Sequence, residues 1–335
     1  MGARRIQLSH GSGGRMTRAL IDEEIVKRFG DGPLAGLPDA ARLRAPGGEL
    51  LFTTDSFVVQ PLEFPGGTIG ELAVHGTVND LAVSGARPRH VSLALILEEG
   101  LDRELLARVL DGVRRAADQA GVSVVTGDTK VVGRGQCDGM FVNTAGLGEA
   151  IPELRVDPDR VRPGDVVLVS GPLGDHGMAV MAAREGIAIE GGPVSDTAPV
   201  HRLVEAACVR ADAVRFMRDP TRGGLAAVLG ELVEERPIGI ELDERALPAA
   251  PGTRAVAEML GIDLLHVACE GRVALVAAPE AADEILAAWR ALDEGRQAAR
   301  VGRVTDEAGR LTLVTSIGGR RLVDLPEGEI LPRIC

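Results

Sequence analysis

Hydrophobic positions change their period several times along the chain, and each change predicts an element. Met16, Leu20, Ile21, Ile25 and Phe29 recur at helical spacing and predict a helix over Met16–Phe29. Residues 30–48 are rich in Gly, Pro and Ala and read as a loop. Glu49–Val59 is a strand, and Thr68–Ser84 a helix ended by Gly85. Arg89–Leu97 is a second strand of nearly continuous apolar character. Asp102–Ala120 is an amphipathic helix with Leu105, Leu106, Val109 and Val113 inward. Val122–Thr126 is a short buried strand that ends in a GDTK turn, and Met140–Leu147 is a further strand.

The stretch Val156–Gly164 is rich in Pro and charge and marks a boundary. Beyond it the pattern predicts strands at Asp165–Ser170, Ile238–Leu242, Leu264–Ala268 and Arg272–Ala277. Helices are expected from Gly177 to Arg184, Leu225 to Glu235 and Ala281 to Leu292, with a hairpin around Gly318-Gly319. The expectation is an α/β (α+β) chain of two domains, 1–153 and 154–324, with an exposed tail over 325–335.

Composition narrows the class. Of 335 residues, 45% are hydrophobic and 26% charged, as in a globular protein with full cores. Aromatics make up 2%, so those cores are built from Val, Leu, Ile and Ala. The net charge of −12 argues against nucleic acid or an anionic membrane as partner, since both need clustered positive charge. A nucleotide needs only a local cradle and remains allowed. The first nine residues carry two arginines and no apolar run behind them, so no leader peptide is expected. No apolar stretch is long enough for a membrane helix. Cys137, Cys208, Cys269 and Cys335 are widely spaced and form no chelating pair, which suggests free thiols in a reducing cytoplasm.

Four features carry chemistry. Asp55, Asp80, Asp128 and Asp219 each sit beside a predicted strand end, helix or loop. Asp80 shares a helical stripe with Ile69, Leu72, Ala73, Gly76 and Val83. A carboxylate there needs compensation, and magnesium would supply it; a solvated helix edge would also explain the residue, and the pattern leaves both open. DPTRGG places Thr221, Arg222, Gly223 and Gly224 before a helix, where free N–H groups hold anions, and SGPLGDHG (Ser170–Gly177) is a second possible cradle. Neither is a Walker A loop. Lys27 and Lys130 are the two lysines of the chain; arginine does the remaining basic work. A desolvated lysine can release a proton, and Lys130 stands two residues from Asp128. Finally, the chain ends on Cys335, a thiol that becomes a nucleophile where a base or positive group assists it.

Together, HGSGG (His10–Gly14), TTDSFVV (Thr53–Val59), GTVNDLAVSGA (Gly76–Ala86), TGDTKVV (Thr126–Val132), RDPTRGG (Arg218–Gly224) and PRIC (Pro332–Cys335) resemble the HypE family. These are hydrogenase expression/formation proteins of the PurM-like ATP-binding superfamily. The resemblance implies a PurM-like two-domain fold and a homodimer through the first domains. It implies ATP and magnesium near Asp55, Asp80, Asp128 and Asp219. Gly11, Gly13 and Gly14 would cover the nucleotide, and Thr221 and Gly223 would cradle it. A partner, HypF, would load a carbamoyl group onto Cys335. ATP-dependent dehydration would turn that group into a thiocyanate, with Lys130 or Glu270 assisting proton removal. The cyanide would then pass to iron through a HypC–HypD complex. Two alternatives stand beside this. A selenophosphate synthetase usually carries a reactive residue in the N-terminal Gly-rich loop, where this chain has Ser12. A scaffold or thiol carrier would bind partners without consuming ATP.

Overall fold

The computed structural model describes residues 5–11, 15–30, 47–324, 331 and 334–335. Gly13, Gly14, most of the 30–48 loop and most of the 325–335 tail therefore lie outside the described residues. The N-terminal helix α1 (Arg15–Leu20) runs through a π-helical stretch, Ile21–Val26, into α2 (Lys27–Phe29). The first domain continues with β1 (Leu50–Phe57), β2 (Glu63–Phe64), β3 (Gly67–Thr68), α3 (Ile69–Val83), β4 (Ala86–Glu98), α4 (Arg103–Ala120), β5 (Ser123–Val132) and β6 (Met140–Ala150). Four of its strands form one sheet in the order β1-β6-β4-β5. Only the β4–β5 pair is parallel, and α4 is its crossover, as a parallel pair requires.

Local chemistry sets the helix ends. The Thr68 hydroxyl accepts from the Gly70 amide at 3.0 Å, and Glu71 reaches back to the Thr68 amide at 3.1 Å, a capping box for α3. Asp102 accepts from the Glu104 amide at 2.8 Å and starts α4. Arg28 of α2 binds Asp111 of α4 at 2.7 Å, which ties the N-terminal helix to the domain.

The two faces of the first sheet differ. Leu93, Leu95 and Leu97 of β4 are buried beneath α3 and α4 in one apolar core. The alternate positions Ala94 and Ile96 point the other way, to the face that also carries Leu50 and Phe52 of β1, and Phe52 is 68% exposed. Among the described residues this second face carries exposed apolar side chains, Leu50, Phe52 and Ile96, alongside polar ones.

One predicted boundary moves. The strand expected to stop at Thr126 runs on to Val132, so GDTK is strand and not turn. Gly127 allows this. A Cβ there would stand 2.1 Å from the Leu93 carbonyl oxygen, so only glycine lets β5 lie against β4 at this point.

The second domain holds β7 (Val166–Val169), α5 (Asp175–Arg184), α6 (His201–Ala207), β8 (Val214–Arg218), α7 (Gly224–Glu235), β9 (Gly239–Asp243), α8 (Pro251–Leu260), β10 (Ala274–Ala277), α9 (Ala282–Arg290), β11 (Ala299–Thr305), β12 (Leu311–Val314) and β13 (Arg320–Leu322). Seven strands form a sheet in the order β13-β12-β9-β11-β7-β10-β8. Its central strands are buried on both faces, which explains their unbroken apolar runs. Val166 and Leu168 pack into the core shared with Trp289 of α9, while Val167 and Val169 pack into the core shared with Leu225 and Leu229 of α7. The predicted strand at Leu264–Ala268 is instead a 3-10 turn, Leu264–His266, followed by loop. Asp263 accepts from the Leu265 amide at 3.0 Å and bends the chain, and the apolar run is buried as a plug and not as a ladder. The Pro- and charge-rich stretch after residue 156 is tied down: Arg160 donates to the carbonyls of Arg155, Val214 and Asp212.

Helix α3 joins the two halves. Every one of its fifteen residues is buried except Asp80, which is half-buried. Strands β1, β4 and β6 and helix α4 cover it from the first domain, and α6 and β8 from the second. Asn79 donates to the carbonyls of Ala198 and Glu270, both at 3.1 Å, and accepts from the Val200 amide at 2.8 Å.

Candidate functional site

The helix-facing side of β1 alternates Thr53, Asp55 and Phe57 toward α3. Asp55 thereby approaches Gly76, and the Thr53 hydroxyl donates to Asp80 Oδ2 at 3.0 Å. Asp219 arrives from the other domain, just after β8, and is buried. Burial raises the affinity of all three carboxyls for protons. Their mutual repulsion adds to it: Asp55 acts on Asp80, and both act on Asp219, which is pushed up to about 7. Arg218 and Arg222 oppose the effect. The result is a set of mutually interacting carboxyls gathered from both domains. Oxygen donors of this kind suit a hard cation. No three His, Cys, Asp or Glu side chains among the described residues form a metal cage by themselves. Magnesium does not require one, because it takes one or two carboxylates and completes its shell with phosphate and water.

Beside Asp219, the TRGG turn opens α7. No side chain caps that helix, and Gly223 and Gly224 take φ of +75° and +60°. A Cβ on Gly224 would meet the Leu265 and Val267 carbonyl oxygens at 2.6 and 2.7 Å, so the turn is fixed by close backbone approach. The second glycine-rich loop is used differently. Arg272 lies over Gly171 and donates to the Pro172 carbonyl at 3.0 Å, and the Gly174 amide donates to Cys269 Sγ at 3.1 Å. Its groups are taken up by its own chain.

Glu270 lies under this cluster at 1% exposure. Its amide donates to Asp196 Oδ1 at 3.1 Å, which fixes the backbone. Its side-chain Oε1 is buried without a hydrogen-bond partner among the described residues. Burial, then repulsion from Asp219, Asp196, Asp55 and Asp80, holds its pKa well above the usual range. The end of the chain meets it there. The tail expected to be exposed turns inward at its last two residues: Ile334 is 3% exposed, and Cys335 packs beside the first-domain core. Burial pushes the Cys335 thiol far up, and Glu270 pushes it further, while Arg222 opposes them. A carbonyl anchor explains the inward turn, since the buried ring of His176 donates through Nε2 to the Ile334 carbonyl at 2.7 Å.

The site therefore gathers Asp55, Asp80, Asp219, Glu270 and Cys335, with Thr221 and Gly223 in the adjoining turn. Asp128 and Lys130 are elsewhere. They pair with each other at 2.8 Å on β5, opposite Ala94 and Ile96 of β4, on the face of the sheet turned away from α3 and α4. They are 61% and 65% exposed, and Lys130 lowers the pKa of Asp128. Gly11 ends a 3-10 turn, Leu8–Gly11, while Gly13 and Gly14 lie outside the described residues. Sequence reasoning missed Asn79, Ser195, Asp196 and the part played by His176. For His176 a signal existed, the histidine in the glycine-rich SGPLGDHG loop.

Comparison with known proteins places these features in context. Residues 38–150 match the N-terminal domain of AIR synthase related proteins, and residues 162–314 match the C-terminal domain. The carbamoyl dehydratase HypE of Rhizobium leguminosarum bv. viciae is 47% identical over 333 residues, 99% of this chain and 95% of its own. A crystal structure of the hydrogenase maturation protein HypE in complex with ATP superposes with a TM-score of 0.93 at 43% identity, covering 98% of this chain and 99% of that one. A chain of a crystal structure of a HypE–HypF complex superposes with a TM-score of 0.81 at 42% identity, over 92% of this chain and 100% of that chain.

Proposed function

The chain belongs to the HypE family of carbamoyl dehydratases, enzymes of hydrogenase maturation, and from that premise we propose that it converts an S-carbamoyl group on its own Cys335 into a thiocyanate using ATP. The observation that carries this reading is the seat of the chain's last residue. Cys335 lies within the electrostatic field of Glu270, Asp55 and Asp219 and packs against the first-domain core.

An amide oxygen is a poor leaving group, and phosphorylation makes it a good one. In the proposed sequence the carbamoyl oxygen attacks the γ-phosphorus of ATP. ADP departs and one N–H proton is lost, leaving a phosphorylated imidate on sulfur. The C–O bond then breaks, phosphate leaves with the bonding pair, and the second N–H proton departs as C≡N forms. Carbamoyl group and ATP thus become thiocyanate, ADP and phosphate. Phosphoryl transfer asks chiefly for positioning and charge neutralisation. Asp55, Asp80 and Asp219 are the residues that would hold magnesium, which neutralises phosphate charge when bound. Gly223, at the open end of α7, offers a backbone donor to phosphate oxygens, and Thr221, whose amide already donates to the Asp219 carbonyl, offers its hydroxyl. The similarity to a HypE bound to ATP supports the nucleotide part of the reading. Glu270 is the base. Its unpartnered Oε1 sits where a docked carbamoyl N–H needs an acceptor, and its buried carboxylate binds a proton firmly once ionised.

Asp128 and Lys130 enter from a second copy. The exposed apolar side chains Leu50, Phe52 and Ile96 on the outer sheet face support a homodimer through the first domains, and the pair rides on that face. HypF is the carbamoyl donor of this reading, in keeping with the HypE–HypF complex, and HypC–HypD the cyanide acceptor. The four cysteines are free, which fits a reducing cytoplasm. No helix among the described residues is long and apolar enough to cross a membrane.

The test is the mass of the C-terminal peptide after carbamoylation, before and after Mg-ATP. Loss of one water at Cys335, absent with a non-hydrolysable ATP analogue, is expected. A carbamoyl adduct that persists with ATP bound would instead make the chain a carrier.

A further inference from the structure

We propose that His176 is the latch that seats the C-terminal tail: its Nε2–H holds the Ile334 carbonyl and so keeps Cys335 packed against the core. The bond is 2.7 Å long and fully buried. A carbonyl oxygen only accepts, so Nε2 carries the proton. Nδ1 is then an acceptor, and the Ser195 hydroxyl donates to it at 2.8 Å. Both ring nitrogens are thus committed, and the tautomer is fixed from behind. The edge of the Phe64 ring system, 5.3 Å away between centroids, fixes the ring plane. One turn along α5, Val180 packs in the same cluster as Ile334 and Ala268. Helix α5 therefore offers the tail one polar and one apolar anchor on a single face. Among the described residues, the bond to His176 is the one hydrogen bond that Ile334 or Cys335 makes.

The latch is wired to the base. Ser195, which orients His176, is followed by Asp196, whose Oδ1 accepts from the Glu270 amide at 3.1 Å, and by Thr197, which pairs with His75 of α3 at 3.1 Å. Ser195 itself is held by the Pro65 carbonyl at 2.8 Å. One strap thus sets the tail anchor and Glu270 in a common frame. His176 acts through Ile334 and is a positioning residue. Its consequence for catalysis rests on the dehydratase reading, whereas its hold on the tail does not.

The test is brief alkylation of the full-length protein with iodoacetamide, without ATP, read as the mass of the C-terminal peptide so that Cys335 is counted apart from the other three cysteines. His176→Phe keeps a flat ring beside Phe64 but removes the donor. Cys335 is expected to label about ten-fold faster. His176→Gln offers an amide N–H to the carbonyl and an amide oxygen to Ser195, and is expected to restore labelling to within roughly three-fold of wild type. A wild-type labelling rate in folded His176→Phe protein overturns the latch. If that variant does not fold, Ser195→Ala decides, with faster labelling expected and a wild-type rate overturning it. In carbamoylated protein, His176→Phe is expected to lower the maximal dehydration rate about ten-fold with the KM for ATP unchanged. An unchanged rate in a variant whose thiol labels faster overturns the positioning role. If the wild-type protein does not dehydrate, the dehydratase reading falls and the labelling arm still decides the latch.

Discussion

Asp55 and Asp128 face opposite sides of the same four-stranded sheet and stand on its two opposite edge strands. Two residues so placed cannot meet in one chain. If Lys130, the ion-pair partner of Asp128, serves the reaction, it serves the site of a second copy. Mixing decides this. Asp80→Asn chains and Lys130→Ala chains are each expected to be inactive alone. Refolded together at equal amounts, they form mixed dimers with one intact site, and dehydration returns to about a quarter of the wild-type rate. A mixture that stays inactive places both residues in the same chain's site or removes Lys130 from it.

Asp219 shows a cost of function. Burial, then repulsion from Asp80, raises its pKa from 3.8 to about 7. Between these values the folded state holds a proton that the unfolded state has released. Stability contributed at low pH is therefore lost as pH rises from about 4 to about 7. Asp219→Asn removes this loss. We expect the variant to unfold at a higher temperature than wild type at pH 8 without ligand, by on the order of 2 kcal/mol, with the gain vanishing near pH 4. ATP-dependent stabilisation should disappear in the same variant, read by the same thermal melts.

Glu270 must be ionised to accept a proton, and its pKa is raised. The dehydration rate should therefore climb with pH through that raised value and level off above it. Glu270→Gln is expected to slow dehydration by a factor of about 100 or more and to flatten that limb, while Cys335 is still carbamoylated by the donor. Single-turnover rates across pH check both statements.

Asn79 spans the domains with three hydrogen bonds. Asn79→Ala leaves the Val200 amide and two carbonyls unsatisfied in a dry interior and is expected to cost about 3 kcal/mol, seen as a lower urea midpoint. Since Glu270 is one of the residues released, dehydration should fall as well.

Much of this could be read from the chain because the signals are local. Thr68 and Glu71 cap α3 three residues apart, and Asp102 announces α4 by the same means. The carboxyl cluster was legible as motifs, and Asp80 stood out against an apolar stripe. Its environment did not follow from that stripe, because α3 is covered on every side by two domains. The reading of β5 failed at Gly127, where a residue that often marks a turn admits a neighbouring strand. Leu264–Ala268 failed for a related reason, since a short apolar run does not say whether it pairs or plugs. The meeting of His176 with Ile334 joins residues 158 positions apart, and no local pattern encodes it.

The cover around α3 also limits how the molecule can open. Parting the domains would strip Asn79 of its partners, His75 of Thr197, and a whole helix of its apolar neighbours. Withdrawing the terminal cysteine strips one hydrogen bond and the packing of Leu331, Ile334 and Cys335 among the described residues. In the proposed reaction, a thiol loaded by one protein and unloaded to another would thus hang on few of the contacts made by the described residues. In that reading the body around α3 is a dock, and the travelling piece is the substrate's own tether.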